Sequence, residues 1–593
     1  MGKKTYDVVV VGGGAVGAAV ARQLMKSSSK RRVLVLEKGP FLLPEHVQNL
    51  HPQYQSLMAS AVAKPWKLAE RDGYDLAPQI PYLGGRALFW STWIPRPTRA
   101  QMPTWPKTVL DDLESYWKPA EEFLGSVVPA DMGPSFAHFQ DQLLDRLMAK
   151  LKGITHFIAP KEKNDLIVPL ASRDTRSELK YRKFSPVAHL LRDANDPQHA
   201  GRMDVVTSCE VVEIEHGTAP GTSSTSPSHA TALVTSQGKL PLRGARLVLA
   251  NGVVEPTGLL LKSFPEVLPK TAGTNLGGHV ASWFSVRVPR KDWPEMGTSL
   301  QVGCTYLRGR ITSGHVEHTK HVEHTKHVEH TKHAEHVEHA KDTPDTKVTE
   351  AATEATGATD ASRATDTKAA TDTQGTRAVA GTGDDHRDFH IHLMGASNPR
   401  PDAAVEDLYR LIPDSFDQDF LAELSSPEHI GFLVHCLGEW RSTPGDTEGS
   451  TVRYENGHTV LSIKPGARDT ELRTRMDEAA QEMVRQVLAD GTDHPRIEYW
   501  KPGKAGRAGT WQDSPPDERI KKVLVHESGT LWMGENPTTS ITDLHGRLHT
   551  VDNVYVAGAA TFPTSGSWNP TLTAVALGQR LADHLAALKG ESA

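Results

Sequence analysis

Tyr6 to Val11 reads YDVVVV, and the next six residues are Gly12-Gly13-Gly14-Ala15-Val16-Gly17. No other stretch narrows the fold as far. Consecutive valines predict a strand buried on both faces, as at the centre of a parallel sheet. The glycines lead straight into an apolar segment, Ala18 to Met25, that predicts a helix. A second apolar run, Val33 to Leu36, ends at Glu37, 20 residues beyond Gly17. In a unit of this kind the first glycine makes a tight turn. The second lets backbone approach a pyrophosphate, and the third lets helix and strand pack closely. The helix N-terminus favours the anion, and an acidic residue at the end of the second strand binds ribose hydroxyls. The stretch therefore predicts a dinucleotide site on a doubly wound α/β domain.

This unit does not by itself separate FAD from NAD. Tyr82-Leu83-Gly84-Gly85-Arg86-Ala87-Leu88-Phe89-Trp90 places a second glycine pair before an aromatic run. Backbone at Gly84 and Gly85 could approach a cofactor, with Trp90 or Trp93 as a wall. A tight turn entering a core helix explains the same residues equally well.

With 593 residues the chain exceeds what one compact core needs, so two domains plus an appended segment are expected. The net charge of −6 argues against nucleic acid or an anionic membrane as the main partner. Three cysteines, Cys209, Cys304 and Cys436, make neither a disulfide framework nor a CxxC metal spacing. The N-terminus runs into a strand without a leader pattern, and no run of 18 apolar residues occurs. A cytoplasmic protein without a membrane span is the expectation.

In the middle of the chain, Ser185-Pro186 predicts a helix start. Val205 to Glu215 and Arg246 to Asn251 predict strands, with a helix over Glu255 to Lys262. Thr274 to His279 reads as a loop. Trp283–Val288, Ser299–Leu307, Phe389–Met394, Ile430–Leu437 and Thr451–Ile463 predict the strands of a second, antiparallel sheet. Asp469 is expected to cap a helix reaching about Leu488, whose Leu and Met stripe belongs to the core. His315 to Lys341 repeats HVEHTK three times and then degenerates, with nine histidines at every third position. Residues 342–385 are rich in Ala, Thr, Asp and Gly and are expected to be disordered. The histidines read as a repeat expansion in a surface loop and not as a metal site, because long surface insertions add little loop entropy. The strands on either side should pair as though the insert were absent.

The C-terminal region carries the chemistry. VHESGTLWMG begins at Val525, and GSWNPTLTAVAL brings Asn569 to the start of an apolar helix, Thr571 to Leu585. Taken with GGGAVG and Glu37, GGRALFW, and LANGVVEPTGLLL, these motifs resemble the glucose–methanol–choline (GMC) oxidoreductase family. The resemblance runs through most of the chain outside roughly Gly314 to Asp385. The branch it is most similar to contains pyranose and cholesterol oxidases, where Asn replaces a second histidine; Asn569 stands there, 43 residues after His526.

The resemblance implies an α/β fold with a Rossmann-like FAD-binding domain and a second domain whose antiparallel sheet is covered by helices. The implied boundaries are 1–130, 200–280 and 521–593 for the FAD-binding domain, with the catalytic pair in its third part. Residues 131–199 and 281–520 go to the substrate domain, with the insert 314–385. Implied cofactor contacts are Gly12, Gly14, Ala15, Val16, Gly17, Glu37, Gly84, Gly85, Val212, Gly558, Ala559, Pro570 and Thr571. Pyranose oxidases that bind flavin covalently carry a histidine where this chain has Phe89, so non-covalent FAD is expected. The family's Asp-Gly-Ser turn is here Gly558-Ala559-Ala560, which removes an acidic side chain but keeps the backbone amides.

The implied reaction is oxidation of a sugar, glycoside or other cyclic alcohol. His526, an imidazole with an ordinary pKa near 6.5, takes the hydroxyl proton. Hydride passes to flavin N5, and Asn569 hydrogen-bonds the developing alkoxide. Oxygen or a quinone reoxidises the flavin. Glu527 is expected to make a structural contact, and His545 and His549 carry no assigned chemistry. Trp440, Arg441 and His435 are candidates to face the substrate. Two other readings stay open: a lyase of the same fold that keeps FAD only as structure, and a non-catalytic flavoprotein or scaffold.

Overall fold

Val8–Val11 lies at the centre of a five-stranded parallel sheet in the order Val554–Val556, Arg246–Leu249, Val8–Val11, Val33–Leu36, Met203–Val206. All four valines of the central strand are buried. Each contributes roughly 1.5–3 kcal/mol over an exposed position, which is why the unbroken β-branched run takes the middle of the sheet. The helix Ala15–Ser27 follows directly. A Cβ on Gly17 would stand 1.9 Å from the carbonyl oxygen of Gly12, so only glycine lets helix and strand come this close. The helix Thr571–Ala587 is buried on nearly every face and packs on Ala15–Ser27 and on Lys107–Leu124.

The structure, a computed structural model, describes residues 4–69, 73–173, 181–199, 201–218, 227–293, 296–312, 386–400, 405–412, 418–489, 496–503 and 508–588. The histidine repeat and the segment after it lie outside the described residues. Residues 1–311 and 386–593 form one compact unit.

A second, eight-stranded sheet follows the path Gln301–Thr312, His386–Ser397, His429–Trp440, Gly277–Pro289, Glu498–Lys501, Thr510–Gln512. The first two of these strands are neighbours, so the chain on either side of the insert pairs as expected. Ile520–Ser528 joins this sheet through antiparallel pairing with Gly277–Pro289. Helix Ala467–Met483 covers one face. No described helix is long and apolar enough to cross a membrane.

Several expectations need correction. The expected strand Val205–Glu215 is two strands. Met203–Val206 stays in the parallel sheet, and Val211–Thr218 pairs with Ser228–Thr235 in a separate antiparallel sheet. The break is at Ser208, with φ +53°. There Ser208 and Cys209 N–H donate to the carbonyls of Gly39 and Glu37 at 2.9 Å each, which wraps the chain around the end of the second strand. The expected loop Thr274–His279 is already strand from Gly277. The cap of helix Ala467–Met483 is Gly466, whose N–H donates to the Asp469 carboxylate at 2.8 Å from within the first turn. Ser185 stands one residue before the cap Pro186, and its Oγ accepts the N–H of Val187 at 3.4 Å. Residues 520–528 and 277–280 lie in the antiparallel sheet.

Candidate active site

Glu37 is 7% exposed, and its carboxylate accepts the N–H of Gly13 at 2.8 Å and of Gly39 at 3.2 Å. Burial pushes its pKa up against the pull of these amides. Beside it opens a cavity of about 920 Å³. Gly12, Gly14, Ala15, Val16, Glu37, Gly84, Gly85, Val212, Gly558, Ala559, Pro570 and Thr571 all line it. Gly17 does not; its place is the helix–strand contact with Gly12. Phe89, Trp90 and Trp93 are on the wall, and Phe89 offers no nitrogen for a covalent link.

His526 and Asn569 line the same cavity, His526 from a strand of the antiparallel sheet and Asn569 from the loop before the last helix. The pairing of Ile520–Ser528 with Gly277–Pro289 shifts register beside His526: Gly277 faces Ser528, but His279 faces Val525. One strand thus holds an extra residue, a β-bulge, and His526 adopts φ +56° within it. Such a conformation costs a non-glycine residue about 1–3 kcal/mol and re-aims its side chain. Asn569 is 3% exposed and sits just before the helix that starts at Thr571.

Three further histidines connect the pair. His526 Nδ1 lies 2.9 Å from His279 Nδ1, and His279 Nε2 donates to the Gly566 carbonyl at 3.0 Å. The His279 ring meets His390 edge to face at 5.7 Å, and His390 lies 4.9 Å from His392. His392 Nε2 donates to Asn569 Oδ1 at 3.0 Å and stacks on Trp93. Burial holds the pKa of His279 down at about 3 and puts that of His390 well below the usual range, so both rings are neutral. The sequence predicts FHIHLM only as a strand. His390 and His392, two residues apart, share one face of it, and that alternation was a readable signal.

Of the three guessed substrate-facing residues, only His435 reaches the cavity, where it packs against Trp283. Trp440 is fully buried in the core, and Arg441 pairs with Glu439 at 2.7 Å. Glu527 does make a structural contact: it accepts from Arg86 Nη1 at 2.6 Å. The rest of the Arg86 guanidinium donates to the carbonyls of Ala77 and Pro78, which ties the glycine-pair loop to the His526 strand. His545 stacks on His584, and His549 bonds Ser540, away from the cavity.

The wall fits a hydroxyl-rich ligand. Asn251 Oδ1, Glu255 Oε2 and Glu527 Oε2 are buried acceptors with no partner among the described residues. Burial raises Glu255 to about 7, opposed by nearby Arg86. Gly84 and Gly85, at φ +104° and +58°, bring their backbone against Gly14. No group of histidines, cysteines and carboxylates suited to a metal occurs among the described residues.

Residues 447–578 match the GMC oxidoreductase family model. The chain is 41% identical over 139 residues to 6'''-hydroxyparomomycin C oxidase of Streptomyces lividus, a stretch covering 22% of this chain and 25% of that protein. It is 30% identical over 114 residues to paromamine 6'-oxidase of Streptomyces fradiae, covering 19% and 17%. The chain thus spans a quarter or less of the length of these curated relatives. The fold is similar to pyridoxine 4-oxidase from Mesorbium loti, with a TM-score of 0.55 and 14% identity over 98% of this chain and 99% of that one. The family-model match is confined to residues 447–578, and the likeness to the solved structure is one of fold.

Proposed function

We propose that the chain is an FAD-dependent oxidoreductase that converts a CH–OH group of a sugar, glycoside or other cyclic alcohol to the carbonyl. The observation that supports this most is that one cavity is walled both by the Gly12–Glu37 unit and by His526 and Asn569. Gly12, Gly14, Glu37, Gly84, Gly85, Gly558 and Ala559 would hold the cofactor without a covalent bond, and bound FAD supplies a hydride acceptor. His526 takes the hydroxyl proton. Asn569, with its Oδ1 engaged by His392, turns its Nδ2 donor towards the developing alkoxide. Trp283, Trp93 and His435 give an aromatic wall suited to the C–H face of a sugar ring. The relatives named as oxidases of 6'''-hydroxyparomomycin C and of paromamine support a sugar-like substrate and make oxygen the first acceptor to try.

The test is anaerobic addition of sugars, aminoglycosides, glycosides and aryl alcohols to the purified yellow protein. Bleaching of the flavin by one of them is the expected result. Turnover with an unchanged flavin spectrum would mean a lyase, and a protein that cannot be loaded with flavin would remove the proposal.

A further inference from the structure

We propose that His279 is a positioning residue that sets the tautomer of His526: its Nδ1 accepts the His526 Nδ1–H, so His526 carries its lone pair on Nε2. The inference rests on the reading of His526 as the base.

The argument follows the protons. The Gly566 carbonyl has none to give, so His279 Nε2, 3.0 Å away, must carry one. His279 is 1% exposed and neutral, so the ring has a single proton. Its Nδ1 is therefore a bare lone pair. His526 Nδ1 stands 2.9 Å from that lone pair, and two bare nitrogens make no hydrogen bond. The proton between them belongs to His526. A neutral His526 with Nδ1–H must hold its lone pair on Nε2, the nitrogen turned from His279. When His526 gains a proton, Nδ1–H stays bonded to a neutral acceptor. In hydrolase triads a buried carboxylate does this work; here it falls to an imidazole locked by a backbone carbonyl.

The surroundings hold His279 in that state. His390, from the second strand over, meets it edge to face, and His392 lies beyond. Its cross-strand neighbour Glu439 is paired with Arg441, so no unpaired carboxylate competes for the Nε2 proton from that strand. The bulge at His526 gives the arrangement a structural reason: the added residue swings the imidazole onto His279.

The direct test uses the unaltered holoprotein. ¹⁵N-histidine NMR, with His526 assigned by its loss in His526→Ala, should show protonated Nδ1 and bare Nε2 in the neutral ring. A neutral Nε2–H tautomer would overturn the proposal. In parallel, His279→Leu removes the acceptor and should lower kcat by roughly 10–10²-fold with KM little changed. His279→Asn, whose Oδ1 can stand where Nδ1 was, should recover most of the loss. A folded, flavin-loaded His279→Leu that turns over normally would also overturn it, and if that variant does not fold the NMR result alone decides. Failure of the underlying reading looks different: His526→Ala, expected to lose roughly 10²–10⁴-fold, would be fully active.

Discussion

His392 Nε2 donates to Asn569 Oδ1 across 3.0 Å, joining a residue of the antiparallel sheet to one at the head of the last helix, 177 positions away. The bond decides which end of the carboxamide meets the substrate. With Oδ1 taken, Nδ2 is the end left to donate. His392→Leu should release the amide to flip and lower kcat by roughly 10–10²-fold. The reductive half-reaction in a stopped-flow instrument reads this, and flavin content checks the fold. An unchanged rate would show that His392 does not orient Asn569.

Glu37 makes a second prediction. Its carboxylate satisfies the buried N–H groups of Gly13 and Gly39. Glu37→Ala leaves both without that acceptor, at about 1–3 kcal/mol of stability. On the proposed reading it also removes the acceptor for a ribose. The expected result is a lower melting temperature and flavin lost on desalting. A variant that keeps a full complement of flavin would take Glu37 out of the cofactor site.

Arg86→Met tests the link between the glycine-pair loop and the His526 strand. It strands the Glu527 carboxylate, whose side chain is only 4% exposed. Because Arg86 itself is 38% exposed, water can replace part of its role, and the expected loss is about 1–3 kcal/mol. Urea unfolding measures it. A midpoint equal to the parent's would mean that water compensates fully.

Glu255 gives a pH signature. Its folded pKa is raised to about 7 by burial, above the ordinary 4.5. The folded state therefore holds the proton more tightly than the unfolded chain. The associated stability is fully present below about 4.5 and is lost as pH rises through about 7. Glu255→Gln should match the parent's melting temperature near the acid end of that window. It should gain on the parent towards its alkaline end. Parallel curves for the two proteins would rule out a raised carboxyl at this position.

Much of this was legible before folding. The valine run, the spaced glycines and Glu37 are a local pattern, because a strand, a turn and a helix N-terminus are made by neighbours in sequence. His526 and Asn569 lie in equally local motifs. The alternation of His390 and His392 was readable, but His279 was not, because a buried histidine on a strand looks the same whether it fills the core or touches a residue of a cavity. Trp440 was misplaced for a related reason. It lies five residues beyond His435 on one strand, an odd separation that puts the two side chains on opposite faces, and which face borders the cavity depends on the elements that cover the strand.

By itself, then, the amino-acid order determined the strand–glycine–helix unit, the two kinds of sheet, and the motifs that carry His526 and Asn569, the pair proposed as base and carboxamide. Only tertiary structure decided that His526 sits in a left-handed bulge, that the Nδ1 of a histidine 247 positions earlier stands 2.9 Å from its own, and that Asn569 is held by His392. The physical reason is that a tautomer or an amide orientation is set by the single atom across the hydrogen bond. Here that atom arrives from a remote strand whose register no local pattern encodes.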